Sequence, residues 1–386
     1  MAPPGSPDTG LDTALRTQFP ILERPPYLNH AGIAPWPRAA TEAAQAFAEE
    51  NLRDVAANYP QWIRRESALR EDLATLTGAA SADDIALLKN TTEGISLVAW
   101  GLDWKEGDNV VLPRDEFPSN RLPWLAQARR GVEVREIDIR EAENAEAALI
   151  GAMDARTRLV SVSAVQWSDG FRLDLPELGA ACRSRGAWFF VDGIQQLGAL
   201  PMNVVDSGVH FLSADAHKWM LGPEGIAVFY CCEEGREALD LKQQGWHMFE
   251  DPFHFAREDW TPTGSARRFE AGSPNSMGQA AMHASVRMLL DHGMKRVGQR
   301  VLANAEYLAD AVDSLPHLGL TSCRESRRRS GIVSFQSELL PARETYRKLS
   351  SAGVACALRG NSVRLSPHFY QGEAVMEDFI GILKKL

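Results

Sequence analysis

From Ile85 onward the chain alternates: apolar runs of strand length take turns with stretches whose apolar residues recur at helical spacing. Residues 85–88, 110–112, 132–137, 159–165, 188–191, 209–212 and 226–230 read as strands, with helices predicted over 94–100, 121–130, 142–153 and 175–184. Strands that are apolar on both faces need a covering layer on each side. Strand and helix in alternation supply that cover as a mostly parallel sheet sandwiched by helices. The expectation is an α/β fold built on a seven-stranded sheet.

Upstream, Phe47, Leu52 and Val55, then Trp62, Leu69, Leu73 and Leu76, predict two helices between 39 and 77. After Cys232 the pattern loosens, and Trp246, Phe249, Phe253, Phe255 and Trp260 follow no period, as suits a long connection or a subunit contact. Helices over 277–292 and 297–315, followed by short segments at 331–335, 346–352 and 362–365, predict a smaller α+β unit. The chain thus divides into a flexible tail over 1–18, a large domain over 19–270 and a small C-terminal domain over 271–386. Three consecutive arginines, Arg327, Arg328 and Arg329, read as a solvated turn.

Composition narrows the function. Lys and Arg number 41 against 51 Asp and Glu, a net charge of −10. That balance opposes nonspecific binding to nucleic acid, which needs a basic surface to displace phosphate counterions. No apolar stretch approaches the roughly 20 residues of a membrane helix. Neither nucleic acid nor membrane is an expected partner. The opening Met1-Ala2-Pro3-Pro4-Gly5-Ser6-Pro7 has neither the basic nor the apolar region of a secretory leader, so a cytoplasmic location is expected. Cys182, Cys231, Cys232, Cys323 and Cys356 show no paired spacing; neither disulfides nor a metal site is expected, and most read as buried thiols.

The chemistry concentrates in two segments, Phe189-Phe190-Val191-Asp192-Gly193-Ile194-Gln195-Gln196 and Ser213-Ala214-Asp215-Ala216-His217-Lys218-Trp219. Asp192 ends a predicted central strand, the edge at which α/β sheets hold ligands. A carboxylate buried there needs a cation. Lys218 follows the next strand, in a loop that Gly222 and Pro223 turn. Pyridoxal phosphate (PLP) would use both residues, because it takes a lysine as Schiff base and a carboxylate to keep its ring nitrogen protonated. Asn90-Thr91-Thr92-Glu93-Gly94 stands between a strand and a helix, with Asn90 and Glu93 spaced as a capping pair. Free amides of such a turn face an anion, and the Thr91 and Thr92 hydroxyls add donors.

Together these motifs resemble the class V aminotransferase family of fold-type I PLP-dependent enzymes, which includes cysteine desulfurases, kynureninases and isopenicillin N epimerase-like proteins. The resemblance runs from about Phe19 to the end. It implies the fold-type I transferase architecture, a PLP cofactor and a small-molecule amino acid substrate. It further implies that Asp192 pairs with the pyridine nitrogen, that Gln195 contacts the phenolic oxygen and that Lys218 forms the internal aldimine. His217, beside that lysine, stands among the catalytic and cofactor-contacting candidates. The turn at Thr91 and Thr92 becomes the phosphate site. Ser273, in Glu270-Ala271-Gly272-Ser273-Pro274, matches a position that relatives contribute to the neighbouring subunit's phosphate, which implies a homodimer with the active site at the subunit interface.

Several residues depart from the desulfurase pattern. Phe117, in Asp115-Glu116-Phe117-Pro118-Ser119-Asn120, stands where desulfurases stack a histidine on the ring, and it offers a face but no proton. Asp215 replaces the serine of Ser-Gly-His-Lys; a carboxylate repels phosphate, so Asp215 receives no phosphate role. Gln166 and Trp167 are candidate substitutes for an Asn that contacts the cofactor in desulfurases. Arg364, in Val363-Arg364-Leu365-Ser366, matches the family's arginine for the substrate α-carboxylate, a task that suits a planar guanidinium, and Arg359 is a second candidate. Tyr27-Leu28-Asn29-His30-Ala31-Gly32 resembles the family's opening motif, so Asn29 is read as a substrate contact and His30 either as a substrate-side proton donor or as a hydrogen-bonded structural histidine.

No cysteine stands between Arg359 and Arg364, which counts against persulfide-forming desulfurase chemistry unless Cys356 takes that role. No glycine-rich nucleotide motif occurs either. The expected function is PLP chemistry at Cα of a small or sulfur-containing amino acid through Lys218, by a lyase or a transaminase. Isopenicillin N epimerase-like racemisation or epimerisation, cysteine desulfuration and a noncatalytic PLP-binding scaffold are the alternatives left open.

Overall fold

The computed structural model describes residues 9–256 and 258–385. It opens with helices α1 (Thr9–Gln18), α2 (Arg38–Asp54) and α3 (Tyr59–Thr77), then strand β1 (Ile85–Leu88) and helix α4 (Thr91–Gly101). Strands β2 (Asn109–Pro113), β3 (Glu133–Ile137), β4 (Thr157–Ser163), β5 (Trp188–Asp192), β6 (Phe211–Asp215) and β7 (Ala227–Cys231) complete a seven-stranded sheet. Its order is β1-β7-β6-β5-β4-β2-β3. Only β7 runs against its neighbours, β1 and β6; the other pairings are parallel. The mostly parallel α/β sheet expected from the sequence is present.

Strand β5 shows how the doubly apolar runs are used. Phe189 and Val191 join one core, with Leu69, Leu149 and Leu178, while Phe190 joins the core of the opposite face, with Ile95, Val98 and Trp124. Side chains alternate along a strand, so Asp192 falls on the Phe190 side, the face that α4 covers. The strand's apolar body anchors one polar residue at its C-terminal end.

A second sheet, antiparallel and four-stranded, follows. It contains β8 (Leu318–Leu320), β9 (Val333–Ser337), β10 (Ala357–Arg359) and β11 (Ser362–Leu365) in the order β10-β11-β9-β8. Val312, Phe335, Leu349, Val363, Leu365 and Phe379 form its core. In the β10–β11 hairpin Arg359 pairs with Ser362 and Ala357 with Arg364, so Arg359 and Arg364 share one face.

The structure moves three boundaries. Residues 1–8 of the expected tail lie outside the described residues, but Thr9–Gln18 is helix α1, and Leu15 is buried in a core with Phe19, Trp219 and Tyr370. That burial ties the segment down and replaces the expectation of looseness. Helix Ser276–His292, expected to open the small unit, instead packs on α2 and α3 and places Met282 and Val286 in the core of the large sheet. The opening motif crosses in the other direction: Leu28 N–H donates to Ala355 O and Ser366 N–H donates to Leu28 O, both at 2.8 Å. Arg328 is no solvated residue either; it is buried and forms a fork on both carboxylate oxygens of Glu146. Among the described residues no helix is long and apolar enough to cross a membrane.

Candidate active site

The C-terminal ends of β4, β5 and β6 meet the N-terminus of α4. Asp192, at the end of β5, is 2% exposed and accepts one hydrogen bond, from Ile194 N–H at 3.0 Å. Burial pushes its carboxyl up to about 7, and the neighbouring charge of Glu116 adds to the rise. Lys218 follows β6, and burial pulls its amine down to about 8 against the opposing pull of Asp192. Its Nζ makes no hydrogen bond among the described residues and lies 5.7 Å from the Phe117 ring centroid. Burial disfavours the charged form of each group, so the pair holds a carboxyl and an amine that both exchange protons near neutral pH.

Phe117 is 40% exposed and meets Trp167 edge to face, with centroids 5.6 Å apart. The Trp167 carbonyl accepts from Arg364 Nη1 at 2.5 Å. Arg364 is otherwise bare: it is 1% exposed, and its Nε and Nη2 are buried without partners. Burial and the adjacent Arg359 pull the Arg364 guanidinium down to about 9. Arg359 donates from Nη1 to Leu358 O and lies 5.8 Å from the Trp167 ring centroid, with no acidic partner among the described residues. Asn29, paired by its backbone with Ser366, leaves Oδ1 buried and unpaired.

At the α4 N-terminus the expected donors are partly spent. Asn90 caps the helix by accepting from Glu93 N–H at 2.8 Å. Thr91 was expected to hold a phosphate, but its N–H and its hydroxyl both donate to Asp215 Oδ2 at 3.0 Å, and its oxygen accepts from Asp215 N–H. That corrects the assignment: Thr91 has no donor left. Thr92 remains, with its N–H unbonded among the described residues and its hydroxyl donating to Ser119 at 2.8 Å on the exposed side. His217 leaves Nδ1 without a hydrogen-bond partner, 3.8 Å from Asp215 Oδ1.

Gln195 donates from Nε2 to Ala31 O at 3.1 Å and accepts from the Trp219 indole at 2.9 Å, which leaves it one N–H. Ser273 is exposed and lines a cleft with Lys89, Glu93 and Asn275. His30 takes the structural one of its two readings, and the proton-donor role is withdrawn. It is fully buried, with Nδ1 on Ser366 O at 2.8 Å and Nε2 on the Tyr370 hydroxyl at 2.5 Å. A carbonyl only accepts, so Nδ1 carries the proton and Nε2 takes the tyrosine's; no donor is left for a substrate. Burial holds His30 well below its ordinary value, in the neutral form.

One residue escaped the sequence reading. Glu116 is buried and accepts from Ser163 N–H at 2.6 Å, the Ser163 hydroxyl at 2.5 Å and Gln166 Nε2 at 3.0 Å. Ser163 is the register partner of Asp192 across β4 and β5, which puts a second carboxyl beside the first. An acidic residue in a polar loop gives no signal of burial; only the adjoining Phe117 hinted at the site.

These residues can be tested against PLP from their unmet needs. Buried polar atoms without partners are costly and rare. Among the described residues Arg364 Nε and Nη2, Asn29 Oδ1, His217 Nδ1 and Gln166 Oε1 are all unpaired, Asp192 has one donor, and Lys218 has no acceptor. A ring nitrogen for Asp192, a carbonyl carbon for Lys218 and a carboxylate for Arg364 would meet them. The ring end fits; the phosphate end retains Thr92 and lacks Thr91.

A family model described as Aminotransferase class-V matches residues 26–371. Among curated relatives, a probable cysteine desulfurase of Methanothermobacter thermautotrophicus is 29% identical, over 92% of this chain and 93% of the relative. Among solved structures, the complex of the cystine C–S lyase C-DES with its product cysteine persulfide superposes with a TM-score of 0.88 at 25% identity, covering 95% of this chain and 99% of the lyase. A variant of C-DES with glycine covalently linked to its PLP cofactor gives a TM-score of 0.88 at 25% identity, over 98% and 99% of the two chains.

Proposed function

The chain belongs to the class-V aminotransferase family and is a PLP-dependent enzyme, and from that premise we propose that it is a lyase cleaving the carbon–sulfur bond of a small sulfur-containing α-amino acid. The cofactor supplies an electron-poor ring that stabilises negative charge at the substrate Cα. Lys218 would hold it and would be the group that takes the Cα proton; an amine held at about 8 has free base available near neutral pH. Asp192 would keep the ring nitrogen protonated, the remaining N–H of Gln195 would meet the phenolic oxygen, and Phe117 would cover one face. Thr92 would hold the phosphate, together with Ser273 supplied by a second copy of the chain, which makes a homodimer the working unit of this reading. His217, with Nδ1 unpaired, completes the surroundings of Lys218.

The buried, unpaired guanidinium of Arg364 carries the amino acid reading. Nothing in its surroundings neutralises it, and an α-carboxylate would do so through two parallel hydrogen bonds. Arg359 and Asn29 line the same approach. His30 has no part in it.

Cleavage without a cysteine relay follows from the thiols. A relay needs an accessible thiol of low pKa. Cys356 is buried in the core of the small sheet and pushed up to about 12, and Cys323 lines a separate cleft with Glu306 and Arg324. The sulfur therefore leaves Cβ with the bonding electron pair once Lys218 has the Cα proton, and no enzyme thiol receives it. The test is turnover of cystine and cysteine by PLP-loaded protein. Keto acid and a sulfur product should form equally well when Cys323 and Cys356 are replaced by serine. Loss of turnover in Cys356→Ser or Cys323→Ser would establish a desulfurase relay, and amino-group exchange with no sulfur release would establish a transaminase.

A further inference from the structure

Trp219, next to Lys218, is fully buried and holds two distant groups at once. Its indole N–H donates to Gln195 Oε1 at 2.9 Å, and its carbonyl pairs with His368 Nε2 at 2.9 Å. His368 Nδ1 accepts from Phe369 N–H, so Nε2 carries the ring proton and donates. The space is made for this indole. A Cβ on Gly331 would come within 2.5 Å of the ring, and one on Gly198, at φ +90°, within 2.4 Å of the Trp219 carbonyl oxygen. The partner is equally fixed, since Gln195 is 3% exposed and its Nε2 donates to Ala31 O at 3.1 Å. Both contacts orient the amide the same way, oxygen toward the indole and nitrogen toward the Ala31 carbonyl.

We propose that Trp219 is a positioning residue: by donating to Gln195 Oε1 it fixes the amide so that Gln195 meets the cofactor's phenolic oxygen as a hydrogen-bond donor and never as an acceptor. The inference rests on the reading, made above, that Gln195 faces that oxygen. An amide that turned over would set its own lone pairs against an anionic oxygen, and the indole, which donates only, excludes that turn. The titratable groups packed around the pair are His30, His368, Tyr370, Asp192 and Lys218. Burial keeps His30 and His368 neutral and Tyr370 protonated, so none of these three supplies a charge that would substitute for the amide's donation.

The experiment follows the visible absorbance of PLP-loaded protein against pH. Donation to a phenolate favours its charged form, so a weakened donor lets the oxygen share its proton up to a higher pH. Trp219→Phe should raise the midpoint by roughly one pH unit, about the worth of one hydrogen bond to a charged group. Gln195→Leu should raise it comparably, and the double variant should go no further, because both changes remove the same bond. If Trp219→Phe fails to fold, benzothienylalanine at that position trades the indole N–H for sulfur in a ring of the same shape and carries the same expectation. A midpoint unchanged on loss of the indole N–H while Gln195→Leu shifts it, or shifts that add, would overturn the role of Trp219. A midpoint unchanged in Gln195→Leu would overturn the placement of Gln195 itself, and with it this inference.

Discussion

Asp215 and Thr91 share three hydrogen-bond contacts: the Asp215 carboxylate takes the Thr91 N–H and hydroxyl, and the Thr91 oxygen takes the Asp215 N–H, all at 3.0 Å. The start of α4 carries the partial positive charge that attracts an anion, and here a carboxylate of the protein already sits on it. A phosphate bound at Thr92 must share that helix start with Asp215.

Neutralising the carboxylate should therefore tighten the cofactor. Asp215→Asn keeps an oxygen for the Thr91 N–H and removes the like charge. The dissociation constant for PLP, titrated by absorbance, should fall roughly tenfold, the ~1.4 kcal/mol scale of one partly solvated charge contact. Unchanged or weaker binding would mean that the carboxylate is not felt at the phosphate.

Arg364 predicts opposite effects on stability and on binding. A buried charge with only the Trp167 carbonyl for a partner costs the cofactor-free protein stability. Arg364→Met should raise the melting temperature of that form. It should also raise KM about a hundredfold, the loss of roughly 2.7 kcal/mol of paired charge-assisted hydrogen bonds, with a smaller change in kcat. A KM near that of the parent would remove the α-carboxylate from Arg364.

What the sequence made legible and what it hid divide along one line. The sheet was readable because strands such as β5 are apolar on both faces, and Asp192 and Lys218 because position at a strand end is a local property. His30 was left between two roles and Arg328 was misread because their partners are distant: Ser366 and Tyr370 for one, Glu146 for the other. Local sequence reads a run of arginines as polar surface and does not fix the role of a histidine, and only tertiary packing supplies the bonds that let them be buried. Thr91 failed differently. The capping pattern correctly located a helix start, but Asp215, which occupies it, arrives from β6. Glu116 and Trp219 were not singled out, since their meaning lies in Ser163 and Gln195, distant in sequence.

Asp192 ties stability to pH in the cofactor-free protein. Burial raises its carboxyl from 3.8 to about 7, so between those values the folded protein keeps a proton that the unfolded chain has lost. The group's stabilising share is complete below about pH 4 and disappears as pH rises through 7. The melting temperature of the wild type should fall over that interval relative to Asp192→Asn, which has no such proton to lose. Lys218, lowered from 10.5 to about 8, acts above this window. Saturating PLP, whose ring cation would pair with Asp192, should flatten the difference. Parallel profiles of the two cofactor-free proteins would argue for an ionised Asp192.

Lys218 and Ser273 test the shared site directly. Within one chain Ser273 lies exposed in a cleft beside Lys89 and Glu93. If a second copy brings Ser273 to the phosphate, each site takes its lysine from one chain and its serine from the other. Lys218→Ala removes the amine, and Ser273→Asp sets a negative charge against the phosphate; each variant alone should be nearly inactive. A heterodimer of the two gathers both defects into one site and leaves the other intact. Half of the dimers in an equal, freely exchanging mixture are heterodimers with one working site of two, so about a quarter of wild-type activity should return. Because the intact site requires residues from both chains, recovery should follow the rate of subunit exchange. A mixture that stays inactive after exchange would place Ser273 and Lys218 in the service of the same chain's site.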